Sequence, residues 1–166
     1  MQRVKIVVTG PEATGKSTFI QNFAENQALS TNYKGKTVAL DFCRRSVSGI
    51  DIFAFGTPGL EQYEFMRKIL VQGAQGILVL FDSTNPESFK AALEMVPRLL
   101  DYLTKKVPVV LVANKQDLPD ALDVSYFSLI AGDSLPVIGA SAKTGDGVEQ
   151  AIDMLLNMTL KYATAV

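Results

Sequence analysis

The sequence predicts an α/β fold: a mainly parallel, doubly wound six-stranded sheet with flanking helices. Three observations carry this expectation. Short β-branched strands alternate with amphipathic helices, a glycine-rich octet separates the first strand from the first helix, and later polar segments follow directly on apolar strands. In order, Arg3 to Thr9 reads as a buried strand and Lys16 to Glu25 as a helix with Phe19, Ile20 and Phe23 on one face. Asn26 to Lys36 is polar and reads as a loop. Thr37 to Cys43 and Ser48 to Phe55 alternate like strands, joined by a turn near Arg45 and Ser46. Glu61 to Gln72 has helical periodicity, and Gly76 to Asp82 is an apolar strand. A helix from Pro86 to Thr104 follows, its proline at a tolerated first-turn position. Val107 to Ala113 is a strand, Val124 to Ala131 a helix, Leu135 to Gly139 a strand, and Val148 to Lys161 the last helix. No repeat or linker interrupts residues 1–166, which reads as one domain.

Composition narrows the function classes. A net charge of −1 gives no electrostatic case for nucleic acid or an anionic membrane. The chain has no histidine, which excludes His-based catalysis and His-ligated metals. A single cysteine, Cys43, excludes an internal disulfide and fits a reducing cytoplasm. No apolar run is long enough to span a bilayer, and neither end carries a lipidation signal, so no intrinsic membrane anchor is expected.

Gly10-Pro11-Glu12-Ala13-Thr14-Gly15-Lys16-Ser17 matches GxxxxGK[ST] in the strand–loop–helix context that the motif requires, hence a P-loop NTPase fold. Gly10 and Gly15 allow close backbone approach, and successive N–H groups, including those of Ala13, Thr14 and Thr18, would point at phosphate oxygens. Lys16 would reach the β- and γ-phosphates, and the Ser17 hydroxyl would ligate Mg²⁺. Glu12 puts a carboxylate beside the triphosphate; it either contacts Mg²⁺ or water or points into solvent.

Asn114-Lys115-Gln116-Asp117 ends an apolar strand, at the sheet edge where open α/β folds bind ligands. The Asp117 carboxylate can accept both N1–H and the 2-amino group of guanine, whereas adenine would leave it unpaired. Lys115 would lay its stem along the base, and Asn114 would tie this loop to the phosphate loop. Ser141-Ala142-Lys143 also lies at a strand end, with the Ala142 N–H as the expected partner of guanine O6.

In motif order and spacing the whole chain resembles a small Ras-like GTPase. Thr37-Val38-Ala39-Leu40-Asp41-Phe42 and Phe55-Gly56-Thr57-Pro58-Gly59 are similar to the prokaryotic branch that includes gliding-motility and conservon-associated GTPases. The resemblance implies GTP/GDP and Mg²⁺ as cofactors and a switch in which residues 26–36 and the segment after Gly59 change between nucleotide states. It implies Thr37 as a sensor of Mg²⁺ and γ-phosphate, and Gly59 as an N–H donor to that phosphate. It also implies activating, exchange and effector proteins as partners, with roadblock-type regulators among the candidates, and a cytoplasmic monomer.

Two positions depart from the Ras-like pattern. Gly56 stands where an aspartate holds Mg²⁺ through water, and Asp41, four residues after Thr37, is either a substitute or a solvated strand residue. Leu60 stands where a glutamine orients the attacking water, so hydrolysis is expected to be slow unless Glu61, Glu12 or Gln62 positions it. Arg44 and Arg45 are either a cation supplied in cis or a solvated turn. The reading at this stage is a GTPase with Lys16, Thr37, Gly59 and Glu61 as its catalytic group. A hydrolysis-deficient GTP-binding module and an ATP-using phosphotransferase remain as alternatives.

Overall fold

The computed structural model describes residues 2–24, 32–33, 36–37, 41–57 and 64–164, with 32–33 and 36–37 as backbone. Its elements run β1 (Gln2–Thr9), α1 (Lys16–Phe23), β2 (Asn32–Tyr33), β3 (Lys36–Thr37), β4 (Asp41–Val47), β5 (Ile50–Gly56) and α2 (Glu64–Leu70). Then come β6 (Gly76–Asp82), α3 (Pro86–Asp101), β7 (Val109–Asn114), α4 (Val124–Ala131), β8 (Val137–Gly139) and α5 (Val148–Thr164). The main sheet has six strands in the order β4-β5-β1-β6-β7-β8. Every neighbouring pair is parallel except β4 with β5. This is the expected doubly wound architecture.

The central strands are apolar on both faces because each face supports its own core. Ile6, Val8, Leu78 and Leu80 pack with Phe19, Ile20 and Phe23 of α1 and Ile152 and Leu155 of α5. Val7, Ile77, Val79 and Phe81 pack on the other side with Phe89 and Leu99 of α3 and Phe127 of α4. Phe81, Phe89 and Phe127 form an aromatic trio with ring centroids 4.7–4.9 Å apart, Phe81 and Phe127 meeting edge to face. Asn85 and Asp123 accept N–H bonds that cap α3 and α4.

Three expectations need correction. The turn between β4 and β5 is Ser48–Gly49, not Arg45–Ser46. Val47 pairs with Ile50, and positive φ at both turn residues (49° and 80°) matches the right-handed twist of a two-residue hairpin. Arg44 and Arg45 look turn-like by polarity, but an edge strand tolerates charge because its outer rim faces water. The strand expected over Thr37 to Cys43 is also different: the main-sheet strand begins at Asp41, and Lys36–Thr37 pairs antiparallel with Asn32–Tyr33. The stretch Asn26 to Lys36 therefore includes part of a strand pair. Finally, α3 stops at Asp101 rather than Thr104, because the N–H groups of Tyr102 and Leu103 turn back to Leu99 and Leu100.

β1 is the switch point of the sheet. The chain leaves it toward β5 on one side and β6 on the other, which opens a crevice beyond the carboxyl ends of these strands.

Candidate nucleotide site

The octet wraps around its own lysine. Thr14 Oγ1 donates to the Pro11 carbonyl at 3.0 Å, and the Lys16 ammonium donates to the carbonyls of Gly10 (3.1 Å) and Pro11 (2.6 Å). Gly10 has φ 148°, and a Cβ there would lie 2.2 Å from the Leu80 carbonyl oxygen, so only glycine fits against β6. Gly15 has φ 89°, and its Cβ would meet the Asn114 side-chain nitrogen at 2.5 Å. No side chain caps α1 at Gly15 and no acid occupies its first turn, so its free N–H groups remain for an anion. Lys16 is only 9% exposed. Burial, then the Arg67 guanidinium, hold its pKa down at about 8, against the opposing charges of Glu12 and Asp41.

One buried side chain ties the loops after β7 and β8 to the octet. Asn114 Nδ2 donates to the Thr14 carbonyl at 2.7 Å, and Asn114 Oδ1 accepts from the Ala142 N–H at 2.9 Å. The first bond is the expected one. The second engages the very N–H that the sequence reading assigns to guanine O6. Ser141 Oγ donates to Asp117 Oδ1 at 2.8 Å, which fixes the carboxylate at the mouth of a cavity. That cavity is lined by Gly15, Thr18, Asn114, Lys115, Asp117 and Lys143, together with Leu118 and Ala142. Lys115 has φ 67° and reaches the Ala13 carbonyl at 2.8 Å.

At the other end of the phosphate loop, Ser17 Oγ donates to Asp41 Oδ2. Asp41 opens β4 directly opposite Gly56 on β5. A Cβ on Gly56 would lie 3.1 Å from the Asp41 Cβ and 2.7 Å from Ile20 Cδ1. Asp41 therefore fills the space that a side chain at 56 would enter, and brings a carboxylate to it from the neighbouring strand. It is 5% exposed, and among the described residues its Oδ1 has no hydrogen-bond partner. A buried carboxylate oxygen without a partner is costly unless a cation meets it, which fits a divalent metal beside Ser17.

Not every expected residue converges here. Arg44 pairs with Asp51 at 2.7 Å and stacks over Phe53, while Arg45 pairs with Glu149, donates to the Phe23 carbonyl and lies over the Phe23 ring. The arginine whose charge acts on Lys16 is Arg67 of α2, 3% exposed and paired with Glu64, which also accepts from Tyr102 Oη at 2.7 Å. Its sequence signal was weak, because a basic residue in an amphipathic helix reads as solvated surface. Glu12 and Thr18 are exposed at the rim. Gly59, Leu60, Glu61 and Gln62 lie outside the described residues, as does the side chain of Thr37. Thr57 anchors the chain just before them, through its N–H to the Val8 carbonyl (3.0 Å) and its hydroxyl to Thr9 Oγ1 (2.5 Å). Among the described residues no helix is long and apolar enough to cross a membrane.

Comparison with known proteins agrees with this geometry. Residues 5–161 match the model of the Ras family. An uncharacterized protein of Methanocaldococcus jannaschii is 31% identical over 94% of this chain and 97% of its own length. The Ras-related protein Rab-1 of Theileria parva is 33% identical over 89% of this chain and 70% of its own. The Ras-related protein Rab-27B of Bos taurus is 26% identical over 95% and 80% respectively.

Proposed function

We infer, from the premise that this chain belongs to the Ras family of small GTPases, that it is a guanine-nucleotide switch that hydrolyses GTP slowly on its own. The observation that carries the reading is Asn114, whose amide joins the Thr14 carbonyl to the Ala142 N–H and so gathers three motif segments around one cavity. An ATP-using phosphotransferase would leave Asp117 and its Ser141 contact without a purpose.

The chemistry is in-line attack of water on the γ-phosphorus. A P–O bond to water forms as the bond to the β,γ-bridging oxygen breaks, leaving GDP and phosphate. Catalysis of this step is mostly positioning and electrostatics. The Lys16 ammonium and the open N-terminus of α1 hold the phosphates. Ser17 and Asp41 are the residues that would hold Mg²⁺, and the family likeness adds Thr37 in the GTP state. Mg²⁺ supplies neutralisation of the charge on the β- and γ-phosphate oxygens. The family likeness supports Gly59 as the γ-phosphate N–H donor; Glu61, next to Leu60 in sequence, is the candidate for the water-orienting role that the leucine cannot fill.

Leu60 cannot bond to water, so Leu60→Gln is expected to raise the single-turnover rate about tenfold. An unchanged rate would mean that Leu60 is not what limits hydrolysis. The direct test of function is phosphate release from purified protein loaded with GTP and Mg²⁺. Release within a day supports a working GTPase. GTP still intact and bound after a day favours the hydrolysis-deficient binding module, a reading that Leu60 motivates.

The segments 37–42 and 55–59 support the prokaryotic gliding-motility and conservon-associated branch, with roadblock-type proteins among the activating, exchange and effector partners. A cytoplasmic monomer completes the proposal; light scattering of the GTP and GDP forms tests the monomer.

A further inference from the structure

We propose that Asp82 is a positioning residue for base binding, holding the Lys115 side chain across the cavity as one wall of the purine slot. The inference rests on the guanine-nucleotide reading and deepens it. Lys115 starts from a left-handed backbone (φ 67°), which aims its side chain back over the phosphate loop. A lysine stem has several rotatable bonds, and leaving it free would cost ordering entropy each time a base bound. Here the ammonium is held from two sides, by the Ala13 carbonyl at 2.8 Å and by Asp82 Oδ2 at 2.9 Å. The methylenes between these contacts and the backbone run along the cavity that also contains Gly15, Thr18 and Asp117.

Asp82 is itself immobilised. It ends β6 directly opposite Asn114, the residue before Lys115. Its Oδ1 accepts from the Thr84 N–H at 2.9 Å and from Thr84 Oγ1 at 2.7 Å, while its own N–H donates to Ser88 Oγ. Burial pushes its carboxyl up, but the bonds from Thr84 and Lys115 outweigh this and hold it below the usual carboxylate range. The pair is partly exposed, so it adds little to folding. Its effect is to keep the wall in place before the base arrives. Stacking on methylenes does not distinguish purines, so Asp82 contributes to affinity for the base and leaves the choice of base to Asp117.

The test measures GDP and inorganic tripolyphosphate affinities for the full chain and for Asp82→Ala, Lys115→Met and the double variant. Asp82→Ala is expected to weaken GDP about fivefold, the scale of a partly exposed ion pair, and to leave tripolyphosphate within twofold. In the Lys115→Met background the same substitution is expected to cost nothing further, because the ammonium through which Asp82 holds the wall is gone. Two results would overturn the proposal. Equal weakening of GDP and tripolyphosphate would make Asp82 a support of the phosphate loop. A loss that persists in the Lys115→Met background would show that it acts through the Thr84 turn. If the unsubstituted protein binds ADP as tightly as GDP, the guanine reading falls first and this inference falls with it.

Discussion

Asp117→Asn is expected to reverse the base preference, weakening GTP by about 10⁴ relative to xanthosine triphosphate. Guanine presents two adjacent donors, N1–H and the 2-amino group, and a carboxylate accepts both. Xanthine keeps N1–H but carries a carbonyl at position 2, so it needs one acceptor and one donor. An asparagine amide supplies that pair. The geometry favours a clean exchange, because Ser141 Oγ already donates to Asp117 Oδ1 and can do the same to an amide oxygen. The amide nitrogen then takes the place of Oδ2. Competition of both triphosphates against a fluorescent GDP analogue reads the ratio. An unchanged ratio would remove Asp117 from base recognition, whatever its contribution to affinity.

Asp41→Ala should act in opposite directions with and without metal. Asp41 carries a buried carboxylate oxygen that has no hydrogen-bond partner among the described residues, a cost of about 1–3 kcal/mol in a folded chain. Removing the carboxylate relieves that cost, so the nucleotide-free protein should melt no lower than before. Mg²⁺-dependent GTP binding should nonetheless weaken about 100-fold, the scale for an outer-sphere carboxylate that orients a metal site. A purely structural Asp41 would show the reverse, a lower melting temperature and unchanged metal dependence. A transplant sharpens the test. Gly56→Asp alone crowds Asp41 Cβ (3.1 Å) and Ile20 Cδ1 (2.7 Å), whereas adding Asp41→Gly clears the first contact and leaves only a flexible side-chain tip to move. The double variant should recover the metal dependence that Asp41→Ala loses.

The sequence exposed this site unevenly, for physical reasons. The phosphate loop and the base-reading loops were legible because each is a contiguous string at a strand end, where backbone geometry alone places the groups. Asn114 was read correctly as the tie between them. Gly56 is legible as a departure and Asp41 as one candidate substitute, but the choice between substitute and solvated strand residue is not, because the pairing of Asp41 with Gly56 is a register fact and depends on where the hairpin turns. Polarity points to Arg45–Ser46 rather than Ser48–Gly49 as the turn, and the same polarity makes Arg44 and Arg45 look like candidates for the site. Asp82 and Arg67 went unnoticed for a different reason. Each acts on a motif lysine from another element, Asp82 on Lys115 and Arg67 on Lys16, and no spacing along the chain encodes such a contact. The sheet order was predictable in class because apolar strands alternating with helices leave few right-handed solutions.

The Asn114 amide has a kinetic consequence. With its nitrogen on Thr14 and its oxygen on Ala142, it makes the octet and the loops after β7 and β8 share a fastener. For the nucleotide site proposed above, loosening one loop would strain the other, so a bound nucleotide would leave in one concerted event rather than peel from either end. An exchange partner of the kind proposed would then have no need to touch the nucleotide. Prising apart the loops that this amide staples together would be enough.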